Sequence, residues 1–408
     1  MDNELLIVGV SLLIAGLFAR FGRSIGLPTI PFFIVAGIAF GPHTPGVSLV
    51  EEPDDLYLLA LIGLVMLLFH LGIEFSLDDL LAGGRRLLWA GGSYIGLNFG
   101  VGIALGFMFG WGTREAFVIA GMIGTSSTAI VTKLLSDLNR LANRETGMIL
   151  GIIVAEDVFL AFYLALLQPI IGGQEGAAEI VASIGIAFAF LIGLFALARW
   201  GGRAVERVVS AGDRELTTIL VAGFGIFVAG FAHFAGASDA VGALLAGMVI
   251  AATSLAHRIE TLIVPLRDTF AAVFFFWFGL TIAPSDMGAV AVPVAIAVAV
   301  SLLFNVLAGV IASRIYGYGR SAAANAAMML VSRGEFELIL ASLAVAAGLD
   351  SRVAAFAALY VLVLSILSPL LSAKSGVVAR LIPRRAFPEP LPASSSEGYG
   401  STSPQRIA

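Results

Sequence analysis

Apolar residues run along this chain in blocks of membrane-crossing length, separated by short polar interruptions. The blocks fall at 4–19, 27–41, 55–75, 87–110, 114–135, 145–172, 178–198, 215–235, 238–254, 268–282, 288–313, 321–347 and 352–373. They predict thirteen transmembrane helices. The second is short and opens with Pro28 and Pro31, and the ninth and tenth are also short. The predicted fold is an all-α polytopic membrane protein. Residues 1–373 form its transmembrane domain, and 374–408 form a cytoplasmic tail, largely disordered because it is rich in Pro, Ser and Gly from Pro383 onward.

The placement of basic residues tests that count. Alternate loops hold Arg20 and Arg23; Arg85 and Arg86; Lys133, Arg140 and Arg144; Arg199, Arg203, Arg207 and Arg214; Arg258 and Arg267; Arg314 and Arg320; and then Lys374, Arg380, Arg384, Arg385 and Arg406. The opposite loops hold only Arg114 and Arg352, and Arg333 falls inside a span. A wrong span count would scramble this alternation. By the positive-inside rule the N-terminus lies outside and the C-terminus is cytoplasmic, in a plasma membrane. The acidic loop Glu51-Glu52-Pro53-Asp54-Asp55 then faces outward.

Composition agrees with the pattern. The 408 residues are 59% hydrophobic and 12% charged, about half the charge of a typical soluble domain. So few charges could not cover a soluble protein of this length. There is no cysteine, so disulfides and thiol chemistry are excluded. The acidic start Met1-Asp2-Asn3-Glu4 predicts no cleavable signal peptide. No Gly-rich nucleotide-binding unit follows the last span, and no cofactor or nucleic acid is expected.

Polar residues at membrane depth are costly and mark candidate ion paths. Glu156 and Asp157 lie side by side near the middle of the sixth span, with apolar sequence on both sides. A carboxylate in such surroundings can trade a proton for a cation, the competition that exchange transport needs. Thr125, Ser126, Ser127 and Thr128 follow Gly124 in the fifth span. They fit a broken helix whose freed carbonyls and hydroxyls sit beside an ion, or small residues that permit close helix packing. Ser332-Arg333-Gly334-Glu335-Phe336-Glu337 reads as a second break in the twelfth span, with Arg333 and Glu335 stabilising the crossing. Asn305 is a polar residue in the apolar eleventh span, read either as a plain interhelical hydrogen bond or as a further stabiliser of the crossing. The two interrupted spans are seven apart, so they run in opposite directions. That suits an inverted repeat pairing spans 4–6 with 11–13 as a core, the other spans serving mainly as scaffold.

Other features read as structural. His70 and Glu74, four apart, could share a helix face, but a metal site needs more ligands than these two. His233 reads as a packed or pore-edge histidine. Phe274-Phe275-Phe276-Trp277-Phe278 reads as a packing or lipid-facing surface.

Several blocks together resemble the bacterial monovalent cation:proton antiporters of family 2, Kef-type branch. They are Gly26-Leu27-Pro28 with Ala36-Gly37-Ile38-Ala39-Phe40-Gly41-Pro42; Leu67-Leu68-Phe69-His70-Leu71-Gly72-Ile73-Glu74-Phe75; Ser126-Ser127-Thr128-Ala129; Gly242-Ala243-Leu244-Leu245-Ala246-Gly247; Pro265-Leu266-Arg267-Asp268 followed by Phe274-Phe275-Phe276 and Gly279-Leu280; and Arg333-Gly334-Glu335-Phe336. Their order and spacing span residues 5–373. The resemblance implies an elevator-type sodium/proton-antiporter-like fold with crossed broken helices, a homodimer, and ion binding at Asp157. Several members of that branch are gated by an RCK-type domain or subunit, and with no such domain expected after the last span the resemblance implies a separate cytoplasmic RCK-type regulatory subunit, or none. Two positions depart from the family pattern. Glu156 stands where relatives often carry Gln, Asn or Asp, and Asn305 stands near the place of a frequent Lys.

The expectation is therefore a transporter and not an enzyme. It exchanges K⁺ for H⁺ by alternating access at Asp157 and Glu156, with Thr125, Ser126, Ser127 and Thr128 replacing the ion's water. Na⁺/H⁺ exchange and, more distantly, a gated cation channel stay open as alternatives.

Overall fold

The computed structural model describes residues 4–44, 48–74, 84–172, 185, 206–207, 213–234 and 239–387. The predicted span at 178–198 lies outside the described residues, apart from residue 185. Each of the other twelve predicted spans coincides with a helix or with a pair of half-helices.

The described chain opens with α1 (Glu4–Ser24), α2 (Ile30–Phe40) and α3 (Tyr57–Glu74). After α4 (Gly84–Phe109), the fifth span is split into α5 (Thr113–Gly124) and α6 (Thr128–Asp137). Next come α7 (Thr146–Ile171), α8 (Arg214–Phe234), α9 (Asp239–Ala251), α10 (Ala256–Leu280) and α11 (Pro284–Tyr316). The twelfth span is likewise split, into α12 (Arg320–Met329) and α13 (Glu335–Ala346), followed by α14 (Arg352–Ala373) and the short α15 (Ser375–Leu381). No strand occurs among the described residues. Nine helical stretches among them are long and apolar enough to cross a membrane, counting 113–137 through its break.

The structure departs from the hydropathy boundaries in two places. The tenth span was expected at 268–282, but α10 begins at Ala256. Arg258, Glu260, Arg267 and Asp268 break the apolar run without breaking the helix, because hydropathy senses side chains and the helical ladder is backbone. Within the predicted tail, Ser375–Leu381 is helical. Ala379 and Ile382 bury against Ala323 and Ala324 of α12.

Helix packing falls into two groups. α3 lies against α9 and α10, α2 against α1 and α10, and α8 against α9. Separately, α4 packs on α5, α7 and α11, while α11 also packs on α12 and α14, and α13 on α5 and α14. In a lipid solvent, burial cannot be driven by expulsion of water, so close backbone approach matters most. Gly72 and Gly247 provide it where α3 crosses α9. A Cβ on either would come within about 2 Å of a carbonyl oxygen of the other helix, Leu244 or Phe69. Phe274, Phe275, Phe276 and Phe278 are all buried, so this run packs inside the protein. His233 lies exposed on α8, so it is not packed in the interior.

Candidate functional site

α5 ends at Gly124 and the backbone turns extended at Thr125 (φ −122°, ψ 156°). The chain restarts as a helix at Thr128 because Ser127 caps it. The Ser127 hydroxyl accepts from the Ile130 N–H at 3.4 Å. In the second interrupted span the break runs from Leu330 to Gly334, and Gly334 is the N-cap of α13. The two breaks touch. Ser127 N–H donates to the Ser332 carbonyl at 3.1 Å, and an added Cβ at Gly334 would lie 2.5 Å from Ser127 Oγ. The crossing of broken helices expected from sequence is therefore present, with glycine required by the contact.

Arg333 is fully buried at this crossing. Its Nη2 donates to the Ile123 carbonyl of α5 at 2.8 Å, and its Nη1 to Leu330 and Ser332 carbonyls at 3.0 and 3.1 Å. One guanidinium thus joins carbonyls freed by both breaks, where its rigid fork of donors suits several acceptors at once. Its ion partner is Glu337, with Arg333 Nε 3.7 Å from Glu337 Oε1. Glu337 is also fully buried, and its other oxygen accepts from Gly334 N–H at 2.7 Å. The sequence points to Glu335 beside Arg333 as a stabiliser of the crossing, and the structure adds Glu337 as the ion partner of Arg333. Arg333 lies in the non-helical break, and Glu337, the third residue of α13, reaches back over the helix start to both Arg333 and the N-cap Gly334.

Asn305 is buried and its Nδ2 donates to Ser301 and Asn98 oxygens at 2.8 and 3.4 Å. Tyr94, on α4 and fully buried, hydrogen-bonds both Asn305 Oδ1 and the Leu330 carbonyl at the second break. Asn305 thus connects to the crossing through Tyr94. Sequence reasoning missed this tyrosine, because one hydroxyl on an aromatic ring barely changes hydropathy.

The carboxylate pair sits on α7 beside the first break. Ser126 donates its hydroxyl to Glu156 Oε2, and Glu156 Oε1 is buried with no hydrogen-bond partner among the described residues. Thr128 Oγ1 lies 3.3 Å from both oxygens of Asp157. The remaining hydroxyls turn elsewhere. Thr125 Oγ1 donates to the Gly121 carbonyl at 3.1 Å, and Ser127 is occupied as the cap. Two of the four hydroxyls of the run reach the carboxylates.

Asp157 and Thr128 line a cavity of about 540 Å³ together with Ile73, Glu74, Leu150, Ile153, Val154, Ala256, His257 and Glu260. Glu156 is not among these lining residues. The neighbours diverge by about 100° around the helix, so one faces the cavity and the other the packed interior. The charges of Glu74 and Glu335 are close enough to interact with Asp157. Glu74, which the sequence reading places only on a shared helix face with His70, stands at the cavity wall. The signal that it faces the site lies in the packing of α3 against α10 and is absent from local hydropathy.

A polytopic helical protein with two broken helices crossing beside a pair of adjacent carboxylates has the architecture of a membrane ion exchanger. The profile of the sodium/hydrogen exchanger transmembrane family matches residues 9–373, and the chain belongs to that family. It is similar to the K⁺/H⁺ antiporter subunit KhtU of Bacillus subtilis, at 38% identity, covering 94% of this chain and 96% of that protein. It is also similar to the ammonium/H⁺ antiporter subunit AmhT of Alkalihalophilus pseudofirmus, at 31% identity, covering 90% and 92%. Among solved structures, the sodium proton antiporter NhaP1 of Methanocaldococcus jannaschii superposes with a TM-score of 0.69. That match covers 92% of this chain and all of the other at 14% identity, so it shows the shared fold alone. The Kef-type resemblance read from the sequence agrees with these relatives.

Proposed function

We propose that this protein is a cation/proton antiporter that exchanges K⁺ for H⁺ across the plasma membrane by alternating access, with Asp157 as the group the two ions share. The observation that carries the reading is that Asp157 faces an open cavity at the N-terminus of half-helix α6, while Glu156 is packed behind it. A half-helix N-terminus presents free N–H groups and a positive dipole end. That field keeps a carboxylate available for a cation, and Thr128 and the cavity's other oxygens replace part of the ion's water. Protonation of Asp157 discharges the site. The binding region then moves across the membrane carrying either a proton or a cation, and not empty and charged, because an uncompensated carboxylate is costly at that depth. Arg333 and Glu337 hold the crossing together during the movement. No covalent chemistry is involved.

The choice of K⁺ ahead of Na⁺ rests on the name of the 38%-identical relative, since carboxylate and hydroxyl oxygens accept either ion. The name of the 31%-identical relative adds NH₄⁺ as an ion to be tested. Both relatives are named as antiporter subunits, which supports a separate cytoplasmic partner for this chain. A homodimer is proposed on the family resemblance. With the orientation given by the basic loops, the Asp157 cavity opens past His257 and Glu260 on the cytoplasmic side.

The test uses everted vesicles from cells lacking their own antiporters, with an imposed pH gradient followed by a pH-sensitive dye. K⁺, Na⁺ and NH₄⁺ are added in turn to the wild type and to Asp157→Asn. Dissipation by K⁺ in wild type alone supports the reading. Dissipation by Na⁺ alone replaces K⁺ with Na⁺, and exchange retained in Asp157→Asn overturns the site.

A further inference from the structure

α3 and α10 run side by side, and each presents an imidazole and a carboxylate on one face. On α3, His70 Nδ1 lies 3.5 Å from Glu74 Oε2, and on α10, His257 Nδ1 lies 3.5 Å from Glu260 Oε2. Ligating atoms of His70, Glu74 and Glu260 all come within 4.8 Å of one another. Bonds of about 2.1 Å in a tetrahedral zinc site hold neighbouring ligand atoms roughly 3.4 Å apart. Both helix-borne pairs are already at that spacing. The objection raised by the sequence, that His70 and Glu74 supply too few ligands, is met by residues arriving from α10.

We infer that His70, Glu74 and Glu260 form a binding site for a divalent transition-metal cation such as Zn²⁺, with His257 beside Glu260 as a further donor. The mixed nitrogen and oxygen set suits such a metal better than it suits K⁺ or Na⁺, which lack affinity for imidazole. Glu74, His257 and Glu260 line the cavity that Asp157 also lines, whereas His70 is buried behind them. A metal held there ties α3 to α10 and closes the cavity to the transported cation. The consequence for transport rests on the proposed function, but the binding itself does not.

Arg267 is the group that opposes the metal. Its Nη1 sits 3.0 and 3.1 Å from the two ring nitrogens of His70. The same guanidinium bonds Asp268 through Nε and Nη2 at 3.0 and 2.7 Å. Arg267 therefore has a second partner to keep when a metal displaces it from the imidazole. The cost of that displacement places the site among weak, reversible ones.

The test is a Co²⁺ titration of the purified full chain, read by visible absorption, followed by displacement with Zn²⁺. The expected result is one saturable equivalent whose affinity falls at least tenfold in Glu260→Gln and in His70→Gln. His70 is buried, so a thermal melt accompanies its variant. If that variant is unfolded, the half-exposed Glu260 decides. In reconstituted vesicles, Zn²⁺ slows exchange in wild type and not in the variants, each rate being taken relative to its own metal-free rate. Absence of a saturable band, or equal affinity in wild type and Glu260→Gln, overturns the site. Loss of metal-free exchange in wild type counts against the transport reading only, since the Co²⁺ titration still decides the metal site.

Discussion

Ser127 and Gly334 meet at the crossing of the two broken helices so closely that a methyl group on Gly334 would lie 2.5 Å from Ser127 Oγ and 2.8 Å from Ser127 Cβ. Oγ can turn away only by giving up its cap to Ile130, and Cβ is fixed to the backbone, so the strain must be taken up by backbone. Overpacking of this kind costs about 1–3 kcal/mol. Gly334→Ala is expected to lower the melting temperature of the purified protein and to reduce exchange. Ser127→Gly removes both obstructing atoms, and a glycine at an N-cap costs only a few tenths of a kcal/mol. The double variant Ser127→Gly/Gly334→Ala should therefore be more stable than Gly334→Ala alone. If the second substitution gives no rescue in thermal unfolding, the contact does not govern the crossing.

Arg333 and Glu337 make a second, electrostatic prediction at the same place. Both are fully buried, and Arg333 satisfies three carbonyls released by the breaks. Arg333→Met strands a buried carboxylate and those carbonyls, and breaking such a pair costs about 3–5 kcal/mol. Neutralising the survivor removes the stranded charge. Arg333→Met/Glu337→Gln should therefore melt above Arg333→Met, though below wild type, because the carbonyls remain without a donor. A double variant no more stable than the single one would mean that the two charges are not coupled.

Much of this architecture was legible in the chain before its structure. Apolar blocks placed twelve of the described spans, because a lipid solvent demands long uncharged runs and permits few alternatives. Gly124 to Thr128 and Ser332 to Glu337 announced the breaks, since polar groups at such depth need a reason. Partners were not legible. Glu337 rather than Glu335 pairs with Arg333, and Tyr94 reaches the second break from a helix more than two hundred residues away in sequence. Contacts of that kind depend on which helices are neighbours, and hydropathy carries no such information. The true start of α10 was hidden for a related reason. Two of its charged residues, Glu260 and Arg267, face the cavity and His70, and together with Arg258 and Asp268 they resemble a loop in composition while remaining helical.

Asp350 and Arg352, at the turn into α14, give a prediction in pH. Arg352 Nε donates to both oxygens of Asp350 at 2.9 and 3.0 Å, and its guanidinium lies over the Trp111 ring at 5.3 Å. Hydrogen bonding from Arg352 is the main cause that holds the Asp350 carboxyl below its ordinary value, against a smaller opposing effect of burial. A depressed folded-state value means that the ion pair stabilises above the unfolded value, about 3.9 for Asp. That stabilisation is lost as pH falls through the folded value. The difference in melting temperature between wild type and Asp350→Asn should be constant from pH 7 to pH 5 and should shrink below pH 4. A difference that grows on acidification would contradict the assigned sign.

The hydroxyl run beside the carboxylates separates a proximity reading from a geometric one. Thr125, Ser126, Ser127 and Thr128 are neighbours, and a reading from sequence gives all four the same role. The geometry does not. Thr128 lies 3.3 Å from both Asp157 oxygens, whereas the Thr125 hydroxyl is spent on the Gly121 carbonyl of its own helix. A hydrogen bond to a charged group is worth about 1.5–3 kcal/mol, and each 1.36 kcal/mol is roughly tenfold. Thr128→Val should therefore raise the half-saturating cation concentration about tenfold or more, and should shift the pH profile of exchange, because the anionic form of Asp157 loses a partner. Thr125→Val keeps the shape and removes only a local bond, so exchange should stay within about twofold of wild type, since such exchangeable bonds contribute little net free energy. Equal defects in the two variants, measured by cation-dependent dissipation of a pH gradient, would show that the whole run acts as one polar surface. The specific pairing of Thr128 with Asp157 would then not be what binds the ion.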